Sequence, residues 1–479
     1  MGRPLLRFLG LLLATATCVA IRVAAKEAGE RRRGAGDPYC LSKDADPYTG
    51  FATMTPYRLA LDATMEADQV VPTGCTPVQM WHLIRHGSHG AHKNDQIKMK
   101  DDLPLLKRKI FRTRSQGEGN MCDQDLELIR SWKVKDMKKR EGYLTEEGKR
   151  ELGGIARRFL SAFPELLKKK FSIRFKPGDG NEIAFASGRQ NYESARVYIA
   201  AMYGRYAKYV AFSAIASKTL QFFDYCKNYG QSVLDIEKDL KPYHVFKELS
   251  LMSSVLRSVS ERLGFSVSVS DVRSMYNACR YIGAWRPKRL SPWCAVFTPQ
   301  DLQVLEYWED LRMYFDHGYA HSISSEQSCV LGKDLVEQFR NRVGNGSTEI
   351  YYTTYIVNPE ALVSFMTFLG LFRDEEPLTE HSIPESRLWK TSGFAGYGSN
   401  MALLLSSCDN GGFWVSALVN EKAVKLPGCT SSLGCPWETF TENFAYLEEG
   451  DFRKLCGAYS RTVLKSYHRY AYYMNEDWM

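Results

Sequence analysis

The 479-residue chain lacks several patterns that would assign a common chemistry. It contains no Cys-x5-Arg motif, no Gly-x4-Gly-Lys phosphate loop and no Gly-x-Ser-x-Gly elbow, which argues against those phosphatase, nucleotide-binding and hydrolase classes. No Cys-x-x-Cys spacing occurs, so structural zinc is not expected. No internal repeat is apparent, and beyond the N-terminal segment no apolar run is long enough to span a bilayer. With 44% hydrophobic residues, the chain is expected to be globular, with two domains.

The N-terminus has the pattern of a secretory signal. Arg3 and Arg7 form a charged end, residues 11–20 are apolar, and residues 23–25 offer small side chains for cleavage. A membrane anchor is the alternative, but the apolar segment is short and Arg22 interrupts it. We therefore predict a signal peptide over 1–25, a charged, glycine-rich flexible lead-in over 26–43, and an extracellular or cell-surface location. The C-terminus carries no KDEL-type retention signal.

Secretion determines how the 12 cysteines are interpreted. Cys18 lies in the signal, and in an oxidising compartment most of the remaining 11 should be paired, with at least one left over. Closeness in sequence suggests one disulfide between Cys279 and Cys294 and another between Cys429 and Cys435. Asn345, in Asn-Gly-Ser, is a predicted glycosylation site in a turn-like stretch.

The formal net charge is +8, and basic triplets occur at residues 107–109, 138–140 and 168–170. Each triplet alone is typical of a solvated helix face. Together they favour an anionic partner, either a small polyanionic phosphate or an anionic cell surface. Nucleic acid is not expected as a partner because the signal directs the chain outside the cell.

Strand and helix patterns alternate at both ends of the chain. Buried strands are predicted over residues 78–84, 182–187 and 350–357; helices are predicted from Thr145, over 192–203 and over 361–372. Residues 205–340 are mainly helical in pattern. This order predicts an α/β fold, a doubly wound sheet with an inserted mainly α-helical domain. The expected boundaries are 44–208 and 341–460 for the two parts of the α/β domain, 209–340 for the insertion and 461–479 for a C-terminal tail.

The first predicted strand ends in Arg85-His86-Gly87, where open α/β sheets place their ligand crevice. A neutral imidazole can attack phosphorus, and an adjacent guanidinium can hold phosphate oxygens. Arg189 and the Asn358-Pro359-Glu360 turn follow the other two strands, so all three ends are expected to converge. Asn358 suits a helix N-cap and Pro359 the first helical position. Glu360 then either donates a proton as a general acid or complements the helix dipole, and position alone leaves both roles open.

Four of the nine histidines, namely His82, His86, His89 and His92, lie within one short stretch. A metal site is therefore an alternative. However, His82 would share the buried strand with Ile84, the spacing is not helical, and Asp95 is the one nearby carboxylate. We predict that His82 is a satisfied core histidine and that no metal is bound.

Beyond Arg-His-Gly, longer segments resemble one known family. They are residues 222–226, 291–297, 305–311, 318–320 and 369–378, of which Ser291-Pro292-Trp293-Cys294 and its continuation are the most specific. Over roughly residues 44–460 the chain resembles the histidine phosphatase superfamily, in the branch of phytases and acid phosphatases and, within it, the inositol polyphosphate phosphatases.

The resemblance implies a phosphohistidine mechanism without metal or organic cofactor. His86 would attack phosphorus, Arg85 would balance charge, and Glu360 would protonate the leaving alkoxide. The resemblance also implies a disulfide between Cys75 and Cys408, which would add about 4 kcal/mol in the chain-entropy model.

The chain departs from the family pattern Arg-His-Gly-x-Arg-x-Pro. His89 replaces the second arginine, Ala91 the proline, and Asn358 the histidine of His-Ala-Glu. The third phosphate-binding arginine aligns with Gln190, next to Arg189. The predicted substrate-binding residues are Ser88, His89, Arg189 and Asn358. His89 could replace an arginine only when protonated, so activity should be weak and favour acidic pH.

Three hypotheses follow from these residues. The first is a secreted phosphomonoesterase acting on inositol polyphosphates, with bisphosphoglycerate as a further candidate substrate. The second is a catalytically impaired or silent protein of the same fold that binds polyanionic phosphates or a surface partner. The third, a metal-binding protein built on the histidine cluster, is disfavoured. Phosphate release by the pure protein separates the first two.

Overall fold

The computed structural model describes residues 38–457 apart from 60–64, 66, 138–139, 168–180, 211, 215–216, 237–240 and 346–349. Its centre is one mixed β-sheet. The strands are β1 Cys75–Arg85, β2 Asn181–Phe185, β3 Ser213–Ala214, β4 Tyr352–Val357, β5 Asn400–Cys408, β6 Phe413–Val419, β7 Lys422–Ala423 and β8 Cys435–Pro436. Their order across the sheet is β3-β2-β4-β1-β5-β6-β7, with β8 also paired to β6.

The longer helices among the described residues are α1 Lys93–Ser115, α2 Asp123–Ser131, α3 Glu146–Ala162, α4 Arg189–Tyr203, α5 Ser250–Leu263, α6 Val269–Trp285, α7 Pro299–His317, α8 Cys329–Asn345 and α9 Pro359–Phe368. Shorter helices occupy Pro164–Leu167, Ser217–Leu220, Lys227–Tyr229, Pro242–Val245, Ser322–Glu326, Thr391–Phe394, Trp437–Asn443, Tyr446–Glu449 and Phe452–Cys456. None of the described helices is long and apolar enough to cross a membrane.

Strand direction brings three chain segments to one edge of the sheet. β1 and β2 both pair in parallel with β4, with Arg85 opposite Val357 and Phe185 opposite Ile356. The carboxyl ends of β1, β2 and β4 therefore meet, which is where parallel sheets bind ligands. β5 runs antiparallel to β1, so its first residue, Asn400, reaches the same edge.

Strand β1 is buried on both faces. Trp81 and Leu83 pack into the large hydrophobic core that includes the helical region, whereas Met80 and Ile84 pack with α3 and α4 on the other face. This alternation follows from the two-residue period of a strand. Helices cover both faces of the sheet, and the predicted fold class, an α/β sheet with an inserted helical region, is confirmed.

The described cysteines form five disulfides. Cys75–Cys408, Cys279–Cys294 and Cys429–Cys435 pair as expected from the sequence, and Cys40–Cys122 and Cys226–Cys456 are additional. Cys329 is buried and unpaired, which gives the odd thiol that the count required. The Cys75–Cys408 bond joins directly opposed residues of β1 and β5.

The predicted domain boundaries stay a prediction, and the signal peptide and tail lie outside the described residues. The predicted lead-in overlaps the structure at residues 38–43, where Cys40 is bonded to Cys122 and Leu41 is buried. These six residues therefore belong to the packed structure. Helix α1 packs on α6, so part of the segment before residue 208 also lies in the helical layer.

Candidate active site

The backbone of His86 is fixed between two strand ends. Its N–H donates to the carbonyl of Val357 at 3.1 Å, and its own carbonyl accepts from the N–H of Gly398 at 3.1 Å. The next residue, Gly87, has no room for a side chain, because a Cβ there would lie 2.6 Å from both the carbonyl oxygen of Gly148 and Leu152 Cδ2. The motif thus turns away from the sheet directly against helix α3.

The imidazole of His86 is buried, and its Nδ1 lies 3.1 Å from the carbonyl oxygen of Gly87. A carbonyl can only accept, so this contact places the proton on Nδ1 and leaves the lone pair on Nε2. Burial, and then the positive charge of Arg85, hold the pKa of His86 well below its usual value. The imidazole is therefore neutral and able to act as a nucleophile.

Arg85 is held against the site by backbone groups. One guanidinium nitrogen, Nη1, donates to the carbonyls of Thr53 and Ala395, and the guanidinium carbon lies 4.5 Å from the centre of the Tyr397 ring. The Nε–H is buried, and among the described residues it has no acceptor. A buried donor without a partner is costly, and a bound phosphate oxygen would satisfy it.

The predicted substrate-binding Ser88 does not lie free at the pocket. It is fully buried, its hydroxyl lies 2.7 Å from the hydroxyl of Thr145, and its N–H donates to Glu151 at 2.7 Å. Thr145 is the N-cap of α3 predicted from the sequence, and its side chain accepts from the N–H of Gly148 at 3.1 Å. Ser88 therefore joins the motif to α3.

Glu151 is a site component that the sequence did not suggest. Its carboxylate accepts from the N–H groups of Ser88 and Tyr57, at 2.7 and 3.2 Å. Burial raises the pKa of Glu151 to about 7, against the opposing effect of these hydrogen bonds and of Arg85. This buried carboxyl holds the loop that carries the nucleophile, and no local sequence pattern marks it.

His89 lies next to the nucleophile. The ring centres of His86 and His89 are 5.0 Å apart, and His89 Nδ1 lies 2.9 Å from the carbonyl oxygen of Gly90. Burial lowers the pKa of His89 to about 3, with His92 and Arg85 adding to the effect. Without a bound anion, His89 is neutral and does not supply the charge of the arginine that it replaces.

Asn358 occupies the N-cap position of α9, with Pro359 at the first helical position, as predicted. Its side chain makes no capping hydrogen bond, however. Its Oδ1 instead accepts from Nδ2 of Asn191 at 2.9 Å, which links the end of β4 to the first turn of α4. The amide NH₂ of Asn358 remains as the group that could donate to a ligand.

Glu360 lies in the first turn of α9 and is partly buried. Its carboxylate interacts electrostatically with Arg85 and with Asp224 of the Phe-Phe-Asp-Tyr-Cys segment. Burial, and then Glu360, raise the pKa of Asp224 to about 6. Glu360 therefore shares an electrostatic environment with Arg85, next to His86 in the chain, as the sequence predicted for the ends of β1 and β4.

Arg189 begins helix α4, three residues earlier than predicted. Its guanidinium carbon lies 4.8 Å from the centre of the Tyr143 ring, and the guanidinium carbon of Arg140 lies 3.9 Å from the same centre. The sequence identified Arg189 as a phosphate ligand but gave Arg140 only as part of a basic triplet. Spatial proximity, which spacing cannot supply, places the two together.

His82 lies apart from the other three histidines. Its Nδ1 lies 3.2 Å from the hydroxyl of Tyr352 and its Nε2 lies 3.2 Å from Oδ1 of Asn400. Burial lowers the pKa of His82 to about 3. The prediction of a satisfied core histidine is confirmed. Asn345, the predicted glycosylation site, is the last residue of α8, and the rest of its predicted turn-like stretch lies outside the described residues.

The sheet therefore presents a neutral histidine beside an arginine at its carboxyl edge, with a carboxylate from an adjacent strand-to-helix turn. These groups define an α/β protein suited to phosphoryl transfer through histidine. Comparison with known proteins gives the family. The family model described as histidine phosphatase superfamily (branch 2) matches residues 78–420.

Curated relatives and solved structures agree with that match. The chain is 26% identical to multiple inositol polyphosphate phosphatase 1 of Drosophila melanogaster over 444 residues, covering 89% of this chain and 90% of the relative. It is 26% identical to the Homo sapiens protein of the same name over 461 residues, covering 88% and 91%.

Two solved structures share the fold. The phytase from D. castellii superimposes with a TM-score of 0.64 at 17% identity, covering 87% of this chain and 91% of that chain. Multiple inositol polyphosphate phosphatase of Bifidobacterium longum, solved with inositol hexasulfate, superimposes with a TM-score of 0.60 at 14% identity, covering 80% and 94%. The chain belongs to the histidine phosphatase superfamily, branch 2, and the predicted class, a histidine acid phosphatase, is confirmed.

Proposed function

We propose that this protein hydrolyses phosphomonoesters of inositol polyphosphates through a phosphohistidine at His86. The observation that carries the proposal is the neutral imidazole of His86, with Nδ1 bonded to a carbonyl and Nε2 left as the nucleophile, beside Arg85. The substrate class is supported by relatives named multiple inositol polyphosphate phosphatase.

The reaction has two halves. In the first, Nε2 of His86 bonds to phosphorus while the phosphorus–oxygen bond of the ester breaks, and Glu360 gives its proton to the leaving alkoxide. In the second, Glu360 takes a proton from water, the oxygen of which attacks phosphorus, and the nitrogen–phosphorus bond breaks. Arg85 stabilises the phosphoryl oxygens in both halves through its fixed guanidinium.

We also propose that the chain is secreted to the cell exterior or surface and glycosylated at Asn345. Five disulfides among the described residues support an oxidising compartment. Expression in secretory cells tests this: wild type recovered from the medium should carry a glycan, and the mass shift should be lost in Asn345→Gln. Retention of an unglycosylated chain in the cytosol would contradict it.

Phosphate released from inositol hexakisphosphate by the secreted protein, from acidic to neutral pH, tests the enzymatic proposal. Turnover should disappear in His86→Ala and persist in His381→Ala, a matched change at an exposed histidine with a side chain 70% accessible. A folded wild type that releases no phosphate, from this substrate or from smaller phosphomonoesters, would contradict the proposal. It would leave the alternative function, a polyanion-binding protein on a phosphatase fold.

A further inference from the structure

A short loop, residues 140–144, lies directly beside the nucleophile-bearing motif. The N–H of Gly90 donates to the carbonyl of Tyr143 at 2.9 Å, and His89 and Leu144 form an isolated β-bridge. The backbone of this loop is therefore fixed to the two residues that follow Ser88. The next residue, Thr145, also donates its N–H to the carbonyl of Ser88 at 2.9 Å.

The same loop approaches the end of strand β2. Gly142 has a positive φ of +71°, and a Cβ there would lie 3.3 Å from Cβ of Arg189. Glycine is the residue that adopts this conformation at low cost and permits the close approach. The loop thus bridges the ends of β1 and β2, at the ligand-binding edge of the sheet.

Two cations meet at one aromatic ring in this bridge. The guanidinium carbons of Arg140 and Arg189 lie 3.9 and 4.8 Å from the centre of the Tyr143 ring. The adjacent acid, Glu141, is directed elsewhere: it accepts from the N–H of Lys93 at 2.9 Å and lies 3.7 Å from His92. Stacking on the ring holds each guanidinium beside the loop, and both arginines stay protonated.

We propose that Arg140, Tyr143 and Arg189 form a second phosphate-binding subsite at the rim of the catalytic pocket. It binds a phosphate ester that the substrate carries in addition to the one attacked at His86. The subsite selects rigid compounds bearing two or more phosphates, and it supplies two positive charges near His89 and Gln190, where the family pattern has arginines. The inference rests on the proposed function, because it requires the attacked phosphate of the substrate to lie at His86.

Affinity measured without turnover tests the subsite. The affinity for inositol hexakissulfate, which carries six ester anions, is measured by titration calorimetry. The affinity for inorganic phosphate is measured by displacement, and the two are compared. Arg140→Ala should weaken binding of the hexakissulfate about tenfold, as expected for one charge-assisted hydrogen bond. Binding of inorganic phosphate should stay unchanged, and Arg140→Lys should recover most of the lost affinity.

Arg130→Ala is the matched control, because Arg130 is also an exposed arginine stacked on an aromatic ring, 4.5 Å from the centre of Phe111. It should leave both affinities unchanged. Equal affinity of wild type and Arg140→Ala for the hexakissulfate, no binding by folded wild type, or an equal loss for both anions would overturn the subsite. If Arg140→Ala selectively loses affinity for the hexakissulfate but the wild type shows no turnover, the subsite stands and only the proposed function is contradicted.

Discussion

Gly148 of helix α3 lies against the backbone of Ser88, so closely that a Cβ at Gly148 would be 2.9 Å from the Ser88 nitrogen and still closer to its carbonyl oxygen. The first turn of α3 therefore fits the catalytic motif only with glycine at this position. The contact couples the stability of a helix terminus to the position of the nucleophile two residues before Ser88.

Gly148→Ala should both destabilise the protein and lower its activity, because backbone atoms cannot move aside as a flexible side chain can. We expect a loss of roughly 1–3 kcal/mol in the free energy of unfolding, the range for overpacking. Gly153→Ala is the control on the same helix, since a Cβ there would come no closer than 3.3 Å to a neighbouring atom, and that atom is the end of the exposed Arg157 side chain. Denaturant unfolding and phosphate release would be compared, and equal behaviour of the two variants would count against the coupling.

Glu360→Gln should show a loss of activity that depends on the leaving group. Without its proton donor, release of an alkoxide from an inositol phosphate should slow by about 10²–10⁴-fold. Release of p-nitrophenolate, which needs little protonation, should slow far less. Steady-state kcat for both substrates checks this. A similar loss for both would assign Glu360 to binding or to the helix dipole instead.

His89→Arg should raise activity at neutral pH and flatten its pH dependence. The pKa of His89 is about 3 without ligand, so the wild-type ring gains its charge only with an anion bound and more readily as pH falls. Arginine is charged throughout, and one restored donor is worth roughly 10²–10³-fold at most. We would measure kcat/KM from about pH 4 to about pH 8. His89→Gln should lack the acid-dependent part, and coincident profiles for all three proteins would refute the role of His89.

Glu151→Gln should change how stability depends on pH. The pKa of Glu151 is raised from 4.5 to about 7 by burial, so the folded protein binds the proton more tightly than the unfolded chain. The stabilisation of the folded state by the raised pKa of Glu151 is complete below pH 4.5 and is lost as pH rises through 7. The free energy of unfolding then changes by at most about 1.4 kcal/mol per pH unit.

The difference in the free energy of unfolding between wild type and Glu151→Gln should therefore shift in favour of the variant across this window. Denaturant unfolding at several pH values measures it. Glu146→Gln, at an exposed position on the same helix, should give a constant difference. A constant difference for Glu151→Gln as well would exclude a titrating Glu151.

The parallel strands and the residues at their ends could be predicted because each is a local pattern. Val78–Ile84 is a mainly apolar run that ends in Arg85-His86, and the structure extends this strand over Cys75–Arg85. Strands β5 and β6 were missed. Their order is fixed by antiparallel pairing, of β5 with β1 and of β6 with β5, a long-range property that the local pattern does not state.

The remaining parts of the site depend on contacts between distant segments. Glu151 accepts from the N–H of Ser88, and Arg140 shares the Tyr143 ring with Arg189, so neither belongs to a recognisable motif. Ser88 is predicted to contact substrate from its place in the motif, and its hydroxyl lies 2.7 Å from the hydroxyl of Thr145, a contact that the local sequence does not show. Sequence position identified the strand ends, and packing decided which side chains are available there.

The most direct test of the account is detection of phosphate bound to His86. Wild type would be mixed with inositol hexakisphosphate and quenched within one turnover in alkali, because nitrogen–phosphorus bonds hydrolyse in acid. Peptide mass spectrometry should then find a phosphohistidine at His86, absent from His86→Ala and accumulated when the second half of the reaction is slow. Turnover by wild type with no phosphorylated His86 at any time would contradict the proposed mechanism.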